Sequence, residues 1–321
     1  LIRFSNQEDP LVWYPEETNS AGDLRIGSGS KFVQAVETKR EILVYTDTSL
    51  HSLRFIGPPF TFGIQQLASN ITIASSKSAV AVEDVVLWMG NDNFYIYSGQ
   101  TQPIPCTVRD KVFLDFDYEQ EQKVVGGVNS QWGEVFWFYP SLANSLANGG
   151  TGENDKYVVY NYIEKVWYFG SLSRTAWLDR GLRTYPLAAS AGYLYNHEFG
   201  EDDDGSAMTS FIESSQMDLA DGEKFSLIKR VIPDFTFNGS SSDAPNVSLT
   251  LKARNFPGGN YLQTESKTTT RTATAPVEQF TNSLNMRLRG RSFAMRVDST
   301  ALGVRWKIGS PRVDLKEDGK R

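Results

Sequence analysis

Short runs of hydrophobic and β-branched residues, separated by small polar segments, dominate this chain. The runs are rich in Val, Ile, Tyr, Phe and Trp, and they are bounded by Gly, Pro, Asn, Asp and Ser. The spacing of an amphipathic helix is rare, and only Val108–Phe116 predicts one. The sequence therefore predicts an all-β fold. Representative runs are Glu41–Tyr45, Val85–Met89, Glu134–Tyr139 and Tyr157–Tyr160.

Three pairs of these runs are joined by turns that carry Asp or Asn, within Ile42–Phe55, Val85–Gly99 and Val158–Gly170. Asp and Asn tolerate left-handed backbone and bond to their own main chain, so each pair predicts a β-hairpin. The first two hairpins start about 43 residues apart, which is the length of one four-stranded propeller blade. Further strands are expected at Thr61–Leu67, Ile71–Ala74 and Val124–Val128.

The pattern changes near residue 220 and divides the chain into two predicted domains. Residues 1–219 have room for roughly four to five β-propeller-like blades, which sequence outside this chain would complete. The Asn/Gly/Ser-rich segment Leu142–Glu153 predicts a long exposed loop within a blade. Residues 220–321 predict a β-sandwich-like or jelly-roll-like domain. Its expected strands are Ser226–Phe237, Val247–Arg254, Leu284–Leu288, Ser292–Val297 and Gly303–Ile308, and Thr-rich Leu262–Pro276 is expected to be a loop or an edge ribbon.

The beginning of the chain predicts a piece of a longer polypeptide. The chain begins with Leu1 rather than with Met, and Leu1–Phe4 has the pattern expected for the middle of a strand. No apolar run approaches the roughly 18 residues that a membrane helix needs, so no membrane span is expected. No signal-peptide pattern opens the chain.

Charge is unevenly distributed along the sequence. Residues 1–219 carry 15 Lys and Arg against 28 Asp and Glu, a net charge of −13, whereas residues 220–321 carry 17 against 10, a net charge of +7. The first part should repel nucleic acid, and the second could attract an acidic surface. Uneven surface charge without a function explains the same counts.

Residues with catalytic or metal-binding chemistry are few. The single cysteine, Cys106, excludes an intrachain disulfide and reads as a small buried hydrophobe. The two histidines, His51 and His197, each lie beside a polar turn, where a structural role is the simpler interpretation. The sequence has no GxSxG, Walker A, HExxH or dinucleotide motif, so we expect no enzyme activity and no cofactor.

Two further patterns have a functional and a structural interpretation. The acidic turn Glu201–Gly205 could hold Ca²⁺, but its spacing is not that of an EF-hand and a solvated turn is favoured. Trp88, Trp137 and Trp167 could line a sugar site. Their position within apolar runs favours a core between blades instead.

Three arginines at every second position of the sequence form the one candidate site. Arg287, Arg289 and Arg291 would share one face of a strand and form a cationic ladder. Such a ladder could contact acidic residues of a neighbouring subunit or DNA phosphates, or it could be a solvated strand face. Sequence-specific DNA binding is not expected, because no recognition helix or basic arm is visible.

Segments along most of the chain resemble the tail tubular or nozzle proteins of short-tailed, podovirus-type bacteriophages, also described as packaged-DNA stabilisation proteins. The matching segments are structural rather than catalytic. They are Arg3–Pro10 with Trp13, Gly22–Leu24, Gly57–Gly63, Trp88–Gly90 with Phe94–Gly99, Tyr160–Tyr162 with Trp167–Tyr168, Ala301–Gly309, Pro311–Leu315 and Asp318–Arg321.

The resemblance implies a virion protein of the phage tail. Six copies would form a ring below the portal and adaptor, with the propeller facing outward and the genome passing through the channel during ejection. Partners would be further copies, the adaptor and portal side, tail fibres, and DNA in non-specific passage. The family has no catalytic residues to carry over, and the N-terminal part that would hold its adaptor-binding and gate elements is not in this chain.

Two other functions remain open from the residues alone. A carbohydrate-binding or glycan-cleaving propeller at the host surface would need a pocket with aromatic residues and two converging carboxylates. A bacterial β-propeller scaffold unrelated to phage would share the same hairpins.

Overall fold

The structure, a computed structural model, describes residues 1–218, 222–256, 258–259, 261 and 271–319. Its regular structure is almost entirely antiparallel strand, so the all-β prediction is confirmed. Two compact units divide the chain, Leu1–Phe199 and Gly200–Arg321.

Three four-stranded sheets follow one another along the first unit, each with its strands in chain order. Their strands are β3 (Phe32–Glu37), β4 (Ile42–Thr46), β5 (Ser49–Gly57) and β6 (Thr61–Ser69); β7 (Val80–Val82), β8 (Val85–Met89), β9 (Phe94–Tyr97) and β10 (Thr101–Pro103); and β11 (Val125–Asn129), β12 (Glu134–Tyr139), β13 (Lys156–Asn161) and β14 (Val166–Ser171). The pairs β4–β5, β8–β9 and β13–β14 confirm the three predicted hairpins.

A smaller sheet follows the third one, and a short strand pair precedes the first. The smaller sheet contains β15 (Ala176–Leu178), β16 (Leu187–Ser190) and β17 (Tyr193–Asn196), and the pair contains β1 (Ile2–Phe4) and β2 (Gly22–Leu24). We refer to the four sheets that begin at β3, β7, β11 and β15 as sheets 1 to 4.

Connections between strands match the sequence predictions less closely. The predicted helix is confirmed as α1 (Arg109–Asp115) and is followed by a 3₁₀ helix at Tyr118–Lys123. The predicted loop Leu142–Glu153 joins β12 to β13, but it begins with a short helix, α2 (Leu142–Leu146), whose N-cap is Ser141. The prediction of a strand at Ile71–Ala74 was wrong. This segment packs its apolar side chains against sheets 1 and 2 without joining a sheet.

The core of the first unit lies between successive sheets. One cluster joins Leu43, Tyr45 and Leu50 of sheet 1 to Val86 and Trp88 of sheet 2. A second cluster joins sheet 2 to sheet 3 and includes Trp137, with Trp167 packed against it. Trp177 of sheet 4 stacks on Phe136 of sheet 3, with ring centroids 5.1 Å apart. The three tryptophans considered for a sugar site, Trp88, Trp137 and Trp167, therefore belong to the packing between sheets.

The second unit contains two larger sheets that share one hydrophobic cluster, formed mainly by aliphatic residues of alternate positions. One sheet contains β20 (Ser210–Glu213), β21 (Met217–Asp218), β24 (Asn246–Arg254), β25 (Thr272–Glu278) and β27 (Ser292–Ser299); the other contains β22 (Ser226–Ile232), β26 (Leu284–Gly290) and β29 (Arg312–Glu317). Two short pairs complete the unit, β18 (Asp202–Asp203) with β19 (Ser206–Ala207), and β23 (Phe235–Thr236) with β28 (Lys307–Ile308).

Strand pairing explains why the two units divide at residue 199 rather than at the sequence-based boundary of 219. β20 pairs with β27, which is distant in sequence, so the segment before residue 219 joins the second unit. With the boundary after residue 199, the first unit has 15 basic and 22 acidic residues and a net charge of −7. The second unit has 17 basic and 16 acidic residues and a net charge of +1.

Two expectations for the second domain also change. Of the predicted strand Gly303–Ile308, only Lys307–Ile308 is a strand. Of the Thr-rich segment Leu262–Pro276, residues 262–270 lie outside the described residues, and the rest begins β25.

Candidate functional site

The predicted arginine ladder lies only partly on one strand. Arg287 and Arg289 occupy outward positions of β26, while Arg291 lies just beyond its end at Gly290. Both Arg289 and Arg291 lie over the ring of Phe225, at 4.0 and 4.9 Å from its centroid. Arg289 also forms an ion pair with Asp318. The structure thus gives Arg289 and Arg291 contacts within their own unit and leaves Arg287 exposed.

A wider basic surface surrounds Arg287. Register places Arg287 and Arg289 of β26 on the same face as Arg230 of β22 and Lys316 of β29, and we call these four residues the basic face. Arg230 pairs with Asp314 at 3.8 Å. Among the described residues, no ion pair involves Arg287 or Lys316. Arg287 and Lys316 are exposed on this face.

An apolar surface covers the side of sheet 4 that points away from sheet 3. Trp177 points toward sheet 3, and its neighbours in register lie on the same side. Leu178 and Leu194 on the opposite side are 64% and 69% exposed. We call this side the outer leucine face, and its residues are Ala176, Leu178, Leu187, Ala189, Leu194 and, beside Leu187, Asn196.

Sheet 1 also has a side that points away from its neighbour, but that side is covered. Val44 and His51 lie on it and are only 2% and 3% exposed. The Ser28 hydroxyl bonds to Nε2 of His51 at 3.2 Å and to the Ser49 hydroxyl at 3.1 Å. Burial lowers the pKa of His51. His51 is therefore a buried structural residue, beneath the segment that contains Ser28.

Two carboxylates that the sequence analysis did not single out converge between sheets 3 and 4. Asn129 ends β11 and pairs in register with Glu134 at the start of β12. Its Nδ2 lies 3.5 Å from Oε2 of Glu134 and 3.3 Å from Oε1 of Glu198. Tyr168 donates to the other oxygen of Glu134 at 2.6 Å, and Trp132 Nε1 donates to the other oxygen of Glu198 at 3.1 Å.

The carboxylate pair has an unusual electrostatic environment. Burial raises the pKa of Glu134, and the charge of Glu198 raises it further, against the lowering effect of the Tyr168 hydrogen bond. The pKa of Tyr168 is raised by burial and by its bond to Glu134. Among the residues that the structure describes, neither Glu134 nor Glu198 is in an ion pair with Lys, Arg or His. The pair is thus a partly buried negative site.

The remaining candidates have structural surroundings. His197 accepts a hydrogen bond from Arg174 and packs on the ring of Trp177, with centroids 4.8 Å apart. Cys106 packs against the cluster between sheets 2 and 3, and burial raises the pKa of its thiol to about 11. In the acidic turn, Asp202 accepts a hydrogen bond from the backbone of Gly303. Within the described ranges, no three His, Cys, Asp or Glu residues form a metal-binding group.

A surface cavity of 540 Å³ lies between α1, the 3₁₀ helix and α2. Exposed Leu114 and Leu146 line it together with Asp117. Asp117 accepts hydrogen bonds from Ser145 and from the backbone of Glu119, so its carboxylate holds the two helical segments together.

No protein-family model and no curated protein sequence matches this chain. Within the described residues, none of the helices has the length and apolar character needed to cross a membrane.

Proposed function

We propose that this chain is a structural component of the tail of a short-tailed bacteriophage, the nozzle or tail-tube hub. In this proposal, six copies form a ring in the virion that retains the genome and conducts it during ejection. The observation that carries the proposal is the exposed outer leucine face, because a sheet face of this kind is normally buried against another element.

The sheets of the first unit support a propeller-like arrangement. Sheets 1 to 3 are four-stranded meanders with strands in chain order, and each packs face to face with the next. Sheet 4 continues the series through Trp177. Three four-stranded sheets followed by a three-stranded one support the proposal of roughly four to five blade units. An incomplete propeller would leave its last sheet uncovered, as the outer leucine face is.

The second unit supports a β-sandwich-like module with an assembly surface. Its two larger sheets share one cluster of alternating aliphatic residues, as in sandwiches. Arg287 and Lys316 of the basic face are available for the acidic surface of a neighbouring copy. The first unit, with a net charge of −7, is one such surface.

The same charge suits a protein through which DNA passes. Phosphate contacts dominate nucleic-acid affinity, and an acidic channel wall forms few of them. DNA would therefore slide without lasting contacts. In this proposal the remaining partners, the adaptor and portal side and the tail fibres, follow from the resemblance of the sequence to the nozzle family.

Substitution of the outer leucine face tests the proposal. The double variant Leu178→Asp with Leu194→Asp should abolish rings, because each carboxylate would have to be buried at the contact. Mass photometry measures the number of copies, and negative-stain electron microscopy shows the ring. Leu182→Asp is the matched control, since Leu182 is fully exposed in the neighbouring loop. Identical assembly of the double variant and the control would contradict the proposal.

Charge reversal at a single position, Arg287, tests the basic face. Arg287→Glu should weaken ring assembly and leave thermal unfolding unchanged, because Arg287 is in no ion pair among the described residues. Arg289→Glu would also disrupt the contacts with Asp318 and Phe225. Unchanged assembly of Arg287→Glu would remove the basic face from the proposed interface.

One observation favours the alternative function in carbohydrate binding or cleavage. Glu134 and Glu198 converge on one amide beside two aromatic residues, Trp132 and Tyr168. Paired carboxylates of this kind, one with a raised pKa, are the groups that glycosidases use. A glycan array and a hydrolase screen test it, with Glu134→Gln as the control. Hydrolysis lost in Glu134→Gln would favour this alternative.

A further inference from the structure

The contacts of Asn129 suggest a ligand for the carboxylate pair. Asn129 is completely buried, yet its Oδ1 has no hydrogen-bond partner. Its Nδ2 reaches both carboxylates only at 3.3 and 3.5 Å. Hydrogen bonds from N–H to a carboxylate are shorter when well formed, and a buried amide oxygen without a partner is destabilising. The amide therefore fits its present surroundings poorly.

The distances fit a different set of contacts. The oxygen and nitrogen of an asparagine side chain are nearly isosteric, so the amide can turn over. Oδ1 would then occupy the position of Nδ2, at about the same 3.3 and 3.5 Å from the two carboxylate oxygens. Oxygens that bind one Ca²⁺ at right angles lie about 3.4 Å apart, because each bond is about 2.4 Å long. Oδ1 of Asn129 would thus lie from each carboxylate oxygen at the spacing of two neighbouring ligands of one cation.

Charge and access agree with this geometry. The two carboxylates have no ion-pair partner of opposite sign among the described residues. Glu198 is exposed, so an ion and its water ligands can enter. Hard divalent cations bind carboxylate and amide oxygens and complete their coordination with water.

We propose that Glu134, Glu198 and Asn129 form a binding site for a hard divalent cation, Ca²⁺ or Mg²⁺, between sheets 3 and 4. The amide of Asn129 turns over on binding and presents Oδ1. The phenol of Tyr168 and the indole of Trp132 hold the second oxygens of the two carboxylates in place. With two charged ligands, we expect a dissociation constant for Ca²⁺ of about 10⁻⁴ to 10⁻³ M. The site is independent of assembly into a ring.

Terbium luminescence tests the site in the full chain. Tb³⁺ replaces Ca²⁺ at oxygen sites and emits when a nearby tryptophan is excited, and Trp132 adjoins Glu198. We expect saturable emission that Ca²⁺ or Mg²⁺ displaces, and at least a tenfold loss of affinity in Glu134→Gln and in Glu198→Gln. The matched control is Asp203→Asn in the acidic turn, which should leave binding unchanged. The order of displacement by Ca²⁺ and Mg²⁺ identifies the preferred ion.

A gain-of-function variant separates this site from a structural hydrogen-bond network. Asn129→Asp adds a third carboxylate, so it should bind Tb³⁺ more tightly and gain more thermal stability from Ca²⁺ than the unsubstituted chain. Without a cation site, the same variant is destabilised and Ca²⁺ does not restore it. That result would overturn the proposal. So would a lack of Tb³⁺ emission in the unsubstituted chain, or emission in the Gln variants equal to that of the unsubstituted chain.

Discussion

Sheets 1 and 4 differ in what lies on the side that points away from their neighbours. On sheet 1, Val44 and His51 are buried beneath the segment that contains Ser28 and Gly29. On sheet 4, Leu178 and Leu194 are mostly exposed. The two sides also differ in composition, because His51 and Ser49 lie beside Val44 on the covered side, whereas leucines dominate the exposed side. A stack of sheets that is covered at one end and open at the other is complete only when something else covers the open end.

The largest expected contrast comes from placing a charge on each side. Val44→Asp should destabilise the first unit by about 4 kcal/mol, because it buries an unpaired carboxylate. Leu194→Asp should change the stability of the isolated chain by less than about 0.5 kcal/mol, since the position is exposed. Chemical denaturation measured at dilute concentration provides both values. Similar losses for the two variants would mean that the ends of the stack are not different.

A smaller effect is expected from loosening the covering segment itself. Gly29 has a φ of +86°, and a Cβ there would overlap the Thr46 side chain. Gly29→Ala should therefore cost about 1–3 kcal/mol. Gly27→Ala is the matched control, because a Cβ at Gly27 meets nothing within 4 Å and its backbone is not left-handed. Equal melting temperatures of the two variants would show that the segment does not hold sheet 1.

The smallest expected effect is a pH dependence that only the covered side should show. Burial lowers the pKa of His51 from its usual 6.5, so the unfolded chain binds this proton more readily than the folded chain. The contribution of His51 to the free energy of unfolding is fully present above pH 6.5. It should decrease as the pH falls from there toward the folded-state pKa of His51. His51→Gln should lose less stability than the unsubstituted chain over this interval in thermal unfolding. Parallel curves for the two proteins would argue against a buried neutral His51.

Local sequence patterns were sufficient for much of the first unit. The hairpins at Ile42–Phe55 and Val85–Gly99 were predictable because β-branched and aromatic runs flank turn residues. The local pattern was misleading at Ile71–Ala74, because a loop whose apolar residues pack between sheets has the same composition as a strand.

Pairings between distant residues could not be predicted. β20 belongs to the second unit through β27, and no local signal indicates that partner. Asn129 and Glu198 are 69 residues apart and match no motif. Their convergence depends on the packing of sheet 4 against sheet 3, which Trp177 fixes by contacts that only the folded chain contains. In the arginine ladder, the alternate spacing of the arginines correctly predicted that Arg287 and Arg289 share a strand face. It did not predict that the strand ends at Gly290, before Arg291.

Thiol labelling tests most directly whether another copy covers the outer leucine face. In a Cys106→Ala background, Leu194→Cys places a single thiol on this face, and Leu182→Cys places one in the exposed loop nearby. If another copy covers this face, the thiol at position 194 should react rapidly in the dilute monomer and slowly after assembly, whereas the thiol at 182 should react rapidly in both. Equal reactivity of position 194 in the monomer and in the assembly would show that no copy covers the face.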